Sequence, residues 1–175
     1  VFGKHAGLRA AEYAAQVDFE PLPGDPEAGV RSQIDSLKSG SGKENVLDIA
    51  TEMKKVMFDL VGIYRKEADM KEAIEKMREL QERLQHVRIA DTGKIFNTEL
   101  INAWELGNML ELAEVIAVSA LNRKESRGGH SREDYPKRDD KEWLRHSLAF
   151  KKGKDVRLSY KPVTITKYQP KERVY

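Results

Sequence analysis

The sequence contains no cysteine, which excludes disulfides, thiolate catalysis and Cys-ligated zinc or iron–sulfur clusters within this chain. Aromatics are also scarce, at 7% of residues, so the core has to be built largely from aliphatic side chains on helices. No apolar run approaches the roughly 20 residues needed to span a bilayer. From Val1 to Ala15 the chain lacks the basic start and apolar centre of a signal peptide. Together these absences predict a cytoplasmic or matrix-like protein, or a soluble subunit docked onto a membrane complex. An excess of one charge is missing too: 31 Lys and Arg face 29 Asp and Glu, a net +2. A general nucleic-acid binder normally carries a large basic excess.

The usual marks of a self-sufficient active site are absent as well. His5, His86, His130 and His146 show no HExxH or comparable metal-ligand spacing, so no metal site is expected. There is no Gly-x-Ser-x-Gly elbow and no GxGxxG fingerprint. Gly40-Ser41-Gly42-Lys43 has the look of a phosphate loop. However, Leu37 stands where that loop needs its first glycine, Glu44 where it needs Ser or Thr, and no strand precedes it. The segment reads as a flexible loop.

What is present is helix. Phe2 to Asp18 reads as one, with Gly3, Gly7 and Ala11 at four-residue spacing leaving one side nearly flat. Glycine inside a helix costs about 1 kcal/mol relative to alanine. Either a backbone partner packs on that flat side, or the helix is frayed. Pro21, Pro23, Gly24 and Pro26 mark a linker over Phe19–Gly29, and a short helical stretch is expected from Val30 to Leu37.

Three amphipathic helices follow. In the first, Val46, Ile49, Ala50, Met53, Val56, Met57, Leu60 and Val61 line one face, with Asn45 placed to cap and Gly62 to end or kink it. The second carries Met70, Ala73, Met77, Leu80, Leu84 and Val87, with an Asp69/Glu72 capping box and Glu72–Lys76 and Glu79–Arg83 pairs. The third starts near Asn97 or Thr98 and runs to about Leu121, with Leu100, Ile101, Trp104, Leu110, Ala113, Ile116, Ala117 and Ala120 as a broad apolar face. The expected fold is mainly α: an up-down-up three-helix bundle, preceded by a separate helix and followed by an irregular or extended tail with short strands. The domain boundaries read as 1–29, 30–125 and 126–175.

Beyond Leu121 the periodicity stops. Val156, Leu158 and Tyr160 alternate with polar residues, then Val163 and Ile165 do the same, which reads as strand or extended chain broken by Pro162. His146 is expected beside Trp143 in a structural hydrogen bond. The densest cluster of reactive side chains is Arg123, Lys124, Glu125, Arg127, His130, Arg132, Glu133 and Asp134. Arginine forks suit carboxylates, so the cluster can bind a dicarboxylate or anionic cofactor; it equally suits ion pairs that dock one domain onto another.

At that cluster the sequence meets a signature. RKESRGGHSREDYPKRDD, residues 123–140, is similar to the RxESRGAHxRxDYPxRDD run near the end of succinate dehydrogenase and fumarate reductase flavoproteins. VFGKHAG at 1–7, GIYRKE at 62–67, FNTELINAWEL at 96–106, WLRHSL at 143–148, LSYKPV at 158–163 and the closing PKERVY resemble further family motifs in family order. Gly129 stands where alanine is usual, and Val46 where proline is common. L-Aspartate oxidases share the ESRG-type loop, while WLRHSL, YKPV and the terminal Arg-x-Tyr favour the dehydrogenase.

The resemblance implies the C-terminal portion of a subunit that exchanges a hydride between succinate or fumarate and FAD. The family's flavin fold and its catalytic residues precede the point where this chain begins. No catalytic and no cofactor-binding residue is therefore expected here, and the segment alone is expected to be inactive. Implied partners are the flavin-binding and substrate-capping domains and an iron–sulfur subunit, with no nucleic acid and with membrane contact only through partner subunits. The implied location is the cytoplasmic side of the inner membrane, or the matrix side in mitochondria. Arg123, Glu125, Ser126, Arg127 and His130 are the residues expected to dock the helical domain near the active site. Succinate dehydrogenase is the first reading; a fumarate reductase or L-aspartate oxidase flavoprotein, or a free-standing helical interaction module, is the alternative.

Overall fold

The computed structural model describes residues 2–171; most of the closing PKERVY motif lies outside them. The chain divides into two compact units, Val1–Gln33 and Ile34–Tyr175. In the first, helix α1 (Phe2–Ala14) ends before the expected Asp18, because the Gln16 amide turns back to the Tyr13 carbonyl at 2.9 Å. None of its residues is buried, and a Cβ at Gly3 or Gly7 would meet nothing within 4 Å. Helix α2 (Ala28–Lys38) carries the boundary between the two units.

The second unit is built on α3 (Val46–Val61), α4 (Glu67–Leu84) and α5 (Thr98–Asn122), each packed against the other two in the expected bundle. Two buried clusters fill it. One joins Ile49, Met53, Met77, Leu80, Leu106 and Leu110, and the other joins Val61, Met70, Ala73, Ile74, Ala117 and Ala120. The periodic stripes read from the sequence on α3 and α4 therefore form the core. Asn45 caps α3 by accepting from the Leu47 amide at 2.7 Å, and Asn97 caps α5 by accepting from the Leu100 amide at 2.9 Å. Asn97 is itself buried and also donates to the Asp91 and Gly93 carbonyls, so the FNT motif shapes the α4–α5 connection.

Several local expectations are corrected. Helix α4 starts at Glu67, two residues ahead of the expected capping box, and Lys66 at its N-cap makes no side-chain bond. Arg83 does not pair with Glu79; its fork takes Glu44 and Glu52, while Glu79 pairs with Lys76. The 39–45 loop is pinned: Glu44 and Val87 form a parallel bridge, and a Cβ at Gly42 would lie 1.7 Å from the His86 carbonyl oxygen. That glycine is required by close backbone approach.

Helix α5 is apolar on more than its buried side. Ala103, Leu106, Leu110, Ala113, Ala117 and Ala120 face the core, whereas the expected core residues Ile101 and Ile116 are about half exposed. Periodicity finds the apolar residues of such a helix but cannot say which side the bundle covers.

Two small sheets complete the unit. β1 (Tyr64–Arg65) and β2 (Ser131–Arg132) pair in parallel, with Arg65 opposite Arg132. β3 (Arg145–Lys152) and β4 (Asp155–Pro162) form an antiparallel hairpin turned at Gly153, with φ +62°. The alternation at Val156–Tyr160 is thus a strand, and the 163–166 stretch continues without pairing. No described helix is long and apolar enough to cross a membrane.

Candidate functional site

The charged run after α5 folds into a compact knot. Its centre is Glu125, which is fully buried. One carboxylate oxygen accepts from Arg123 Nη1 and from Arg127 Nε at 2.8 Å; the other accepts from Arg127 Nη2 at 3.0 Å and from the Asp139 amide at 2.8 Å. Burial by itself raises the pKa of this carboxyl, but the bonds from Arg127, the Asp139 amide and Arg123 outweigh it and hold it below its ordinary value. Arg127 also reaches Asp140 at 2.7 Å, and Arg138 pairs with the same carboxylate at 2.8 Å. Ser126 works through its hydroxyl, which accepts from the Arg132 amide at 2.8 Å and donates to the Tyr135 carbonyl at 2.8 Å.

Gly128-Gly129 makes the tight turn that returns the chain. Arg127 and His130 exchange both backbone bonds, at 2.8 and 3.0 Å, with Gly128 at φ +59°. Neither glycine would place a Cβ within 4 Å of anything. Alanine at Gly129 is therefore expected to leave stability within about 0.5 kcal/mol. Alanine at Gly128 is expected to cost about 1–2 kcal/mol from the left-handed backbone alone. Urea unfolding followed by circular dichroism separates the two.

The turn delivers His130 to Arg65. Arg65 Nη1 lies 2.6 Å from His130 Nδ1, and the other ring nitrogen lies 3.0 Å from the Arg123 carbonyl. Guanidinium only donates and a carbonyl only accepts, so the ring is neutral, accepting at Nδ1 and donating at Nε2. Burial lowers the His130 pKa; the Arg123 carbonyl opposes this, while Arg65, Arg132 and Arg123 push the same way as burial. Arg65 also donates to the Val61 and Gly62 carbonyls at the end of α3.

Beneath the knot lies Arg132, fully buried. It forks onto Asp134 with two bonds of 2.7 Å, and its remaining terminal nitrogen reaches the carbonyls of Ala120, Leu121 and Arg123 at 3.2, 2.8 and 3.2 Å. Asp134 in turn accepts from the Glu67 amide at 3.2 Å. One ion pair thus caps the C-terminal end of α5 with a cation and the N-terminal end of α4 with an anion. Both placements suit the helix dipoles. The Arg132 bonds hold the Asp134 carboxyl below its usual range.

Beside the knot opens a cleft of about 610 Å³, lined by Arg65, Arg123, Arg127, His130, Arg145 and His146 opposite apolar residues of α5. Arg145 is stacked on Trp143 and Tyr160, its guanidinium carbon 4.6 and 3.8 Å from the two ring centres. Tyr160 meets Trp143 edge-on at 5.7 Å.

The structure places Arg123, Glu125, Ser126, Arg127 and His130 within this one knot. Arg65 and Arg145 were not singled out from the sequence. Arg65 lies in a two-residue strand too short to show a period, and Arg145 sits between two aromatics that are distant from each other along the chain. Among the described residues no group of three or more His, Asp or Glu is placed to hold a metal ion. The sheets here are a two-residue parallel pair and a hairpin, not the strand–helix–strand unit that cradles a dinucleotide.

Residues 50–175 match the family described as the fumarate reductase flavoprotein C-terminus. The chain is 43% identical to the fumarate reductase flavoprotein subunit of Escherichia coli K12, over all of this chain and 30% of that subunit. It is 36% identical to the succinate dehydrogenase flavoprotein subunit of Rickettsia bellii, over all of this chain and 31% of that one. A solved Escherichia coli quinol fumarate reductase superposes at a TM-score of 0.92 with 42% identity, over 99% of this chain and 31% of the solved one. The chain thus spans about 30% of the length of the curated relatives it matches.

Proposed function

This chain belongs to the succinate dehydrogenase/fumarate reductase flavoprotein family and corresponds to its C-terminal region, and from that premise we propose that it serves a subunit interconverting succinate and fumarate with FAD. In this reading the segment contributes no catalytic residue and is inactive alone. It packs on the flavin-binding and substrate-capping parts of the subunit, with residues 1–29 belonging to the flavin domain, 30–125 forming the helical domain and 126–175 the charged loop and tail. Electrons pass to an iron–sulfur partner, and the subunit sits peripherally on the cytoplasmic or matrix face of a membrane complex.

The observation that carries the docking role is the knot around Glu125. Its carboxylate is consumed internally, whereas Arg123, Arg127 and His130 reach the cleft from a turn fixed by hydrogen bonds at both ends. A rigid cationic loop of this kind suits the orientation of one domain against another. In the full-length flavoprotein, Arg127→Ala is expected to lower flavin retention or turnover about tenfold, equivalent to about 1.4 kcal/mol. Unchanged flavin content together with unchanged turnover of succinate and fumarate would count against the role.

A further inference from the structure

We infer that the cleft between α5 and the β3–β4 hairpin is a socket for a single acidic side chain of a polypeptide partner, gripped by Arg65 and Arg145. The partner's identity rests on the docking reading above; the socket itself stands on the geometry of the cleft.

The arginines of this cleft divide into two kinds. Arg123 and Arg127 share the buried Glu125, and Arg127 has Asp140 as well. Arg65 and Arg145 ion-pair with no carboxylate among the described residues. Arg65 is held by two backbone carbonyls and by His130, none of which carries a negative charge. The cost shows in its pKa, which burial and then the nearby Arg132 push downward. Arg145 is partly buried, and its Nε is enclosed yet bonds to nothing. Two aromatic rings fix its plane, as in an arginine preorganised for a fork-to-carboxylate contact.

Four guanidiniums line the cleft against two carboxylates, Glu125 and Asp140, both spent on Arg123 and Arg127, so an excess of positive charge remains at Arg65 and Arg145. Binding one further carboxylate would relieve repulsion within the cleft and give an acceptor to the terminal nitrogens of Arg145, since its enclosed Nε is out of a ligand's reach. The opposite wall decides between a free anion and a side chain. Val115, Ile116, Ala120, Leu144 and Val163 line it, and Ile116 is half exposed. These apolar residues, with only Ser119 and Ser147 as hydroxyls among the lining, suit the methylene stem and neighbours of a Glu or Asp on a polypeptide better than a small hydrated dianion. Relatives extend well beyond the stretch matched here, since this chain covers 30% of the Escherichia coli subunit. Polypeptide able to supply the acid therefore exists in those subunits.

The test uses the 175-residue chain, labelled with nitrogen-15, and reads the Nε–H signals of its arginines. Three probes are titrated separately: the peptide acetyl-Ala-Leu-Glu-Leu-Ala-amide, succinate and inorganic phosphate. The expected result is a saturable shift confined to the Arg65 and Arg145 signals, with the peptide bound at least threefold more tightly than succinate or phosphate. Arg145→Gln is expected to weaken peptide binding at least tenfold. Arg145→Lys, which keeps the charge but loses the stacked fork, is expected to weaken it to a smaller extent, with circular dichroism confirming that both variants fold.

Three results would overturn the inference: no saturable shift, a shift unaltered by either substitution, or succinate or phosphate binding as tightly as the peptide. The last would mark the cleft as a site for a free anion. Because the titration reads the cleft without flavin or turnover, its failure is distinct from a failure of the Arg127→Ala experiment.

Discussion

Replacing Arg132 by methionine is expected to cost about 3–5 kcal/mol, the range for breaking a buried ion pair by removing one partner. Methionine fits the space of the aliphatic stem, so the loss comes from charge and hydrogen bonding. Three carbonyls at the end of α5, on Ala120, Leu121 and Arg123, lose their side-chain donor. Asp134 loses both bonds of its fork and stays behind as the cap of α4. Lysine at 132 restores one charge but cannot reach a carboxylate and several carbonyls with one planar group, so it is expected to recover only part of the loss. Urea denaturation monitored at the helical circular dichroism band measures the whole series. A cost below about 1 kcal/mol for methionine would mean that the clamp is not holding the two helix ends.

The second large effect is expected at Glu125. Substitution by glutamine preserves the shape but turns one acceptor into a donor, in a place where all neighbours donate: Arg123, Arg127 and the Asp139 amide. Two guanidiniums then lose their buried counter-charge, again a cost of about 3–5 kcal/mol. The pH dependence gives an independent check. The folded state holds the Glu125 carboxyl below its ordinary value. Its contribution is therefore complete above that range and is lost as pH falls through the folded-state value. Wild-type stability is expected to decline with acid through this window, and the Glu125→Gln protein to decline less steeply. Parallel curves for the two proteins would mean that the carboxylate is not the source of the acid sensitivity.

Legibility in the sequence followed the range of the interactions. The stripes on α3 and α4, the Asn45 cap, the start of α5 near Asn97 and the break at Gly62 depend on residues within a turn of one another, and all are readable. The strand at Val156–Tyr160 was readable for the same reason. The Asp69 capping box failed because Asp134, some 65 positions further on, supplies an acceptor to the first turn of α4 and lets the helix begin earlier. The Glu79–Arg83 pair does not form because two residues distant in sequence, Glu44 and Glu52, offer Arg83 two carboxylates against one. On α5 the apolar residues were found, yet Ile101 and Ile116 were assigned to a core that the bundle does not extend over them.

The candidate site divides in the same way. The cluster from Arg123 to Asp134 was visible as composition, and the likeness of its motif to a known family gave it a context. Its internal wiring is not visible, since the same eight polar side chains can be joined in many ways. That Glu125 faces inward, that Ser126 serves only the backbone, and that Arg65 arrives from a two-residue strand are outcomes of long-range pairing. No periodicity encodes them.

The clamp made by Arg132 and Asp134 also bears on the order of events in folding. It ties residues near position 67 to residues near 120 and 132, and its geometry exists only when α4 and α5 already lie side by side. Such a contact is expected to form after the rate-limiting collapse of the helices rather than during it, with a φ-value close to zero for Arg132→Met in stopped-flow folding kinetics. The clamp is then expected to act as a brake on opening, its loss speeding unfolding and leaving the rate of refolding almost untouched.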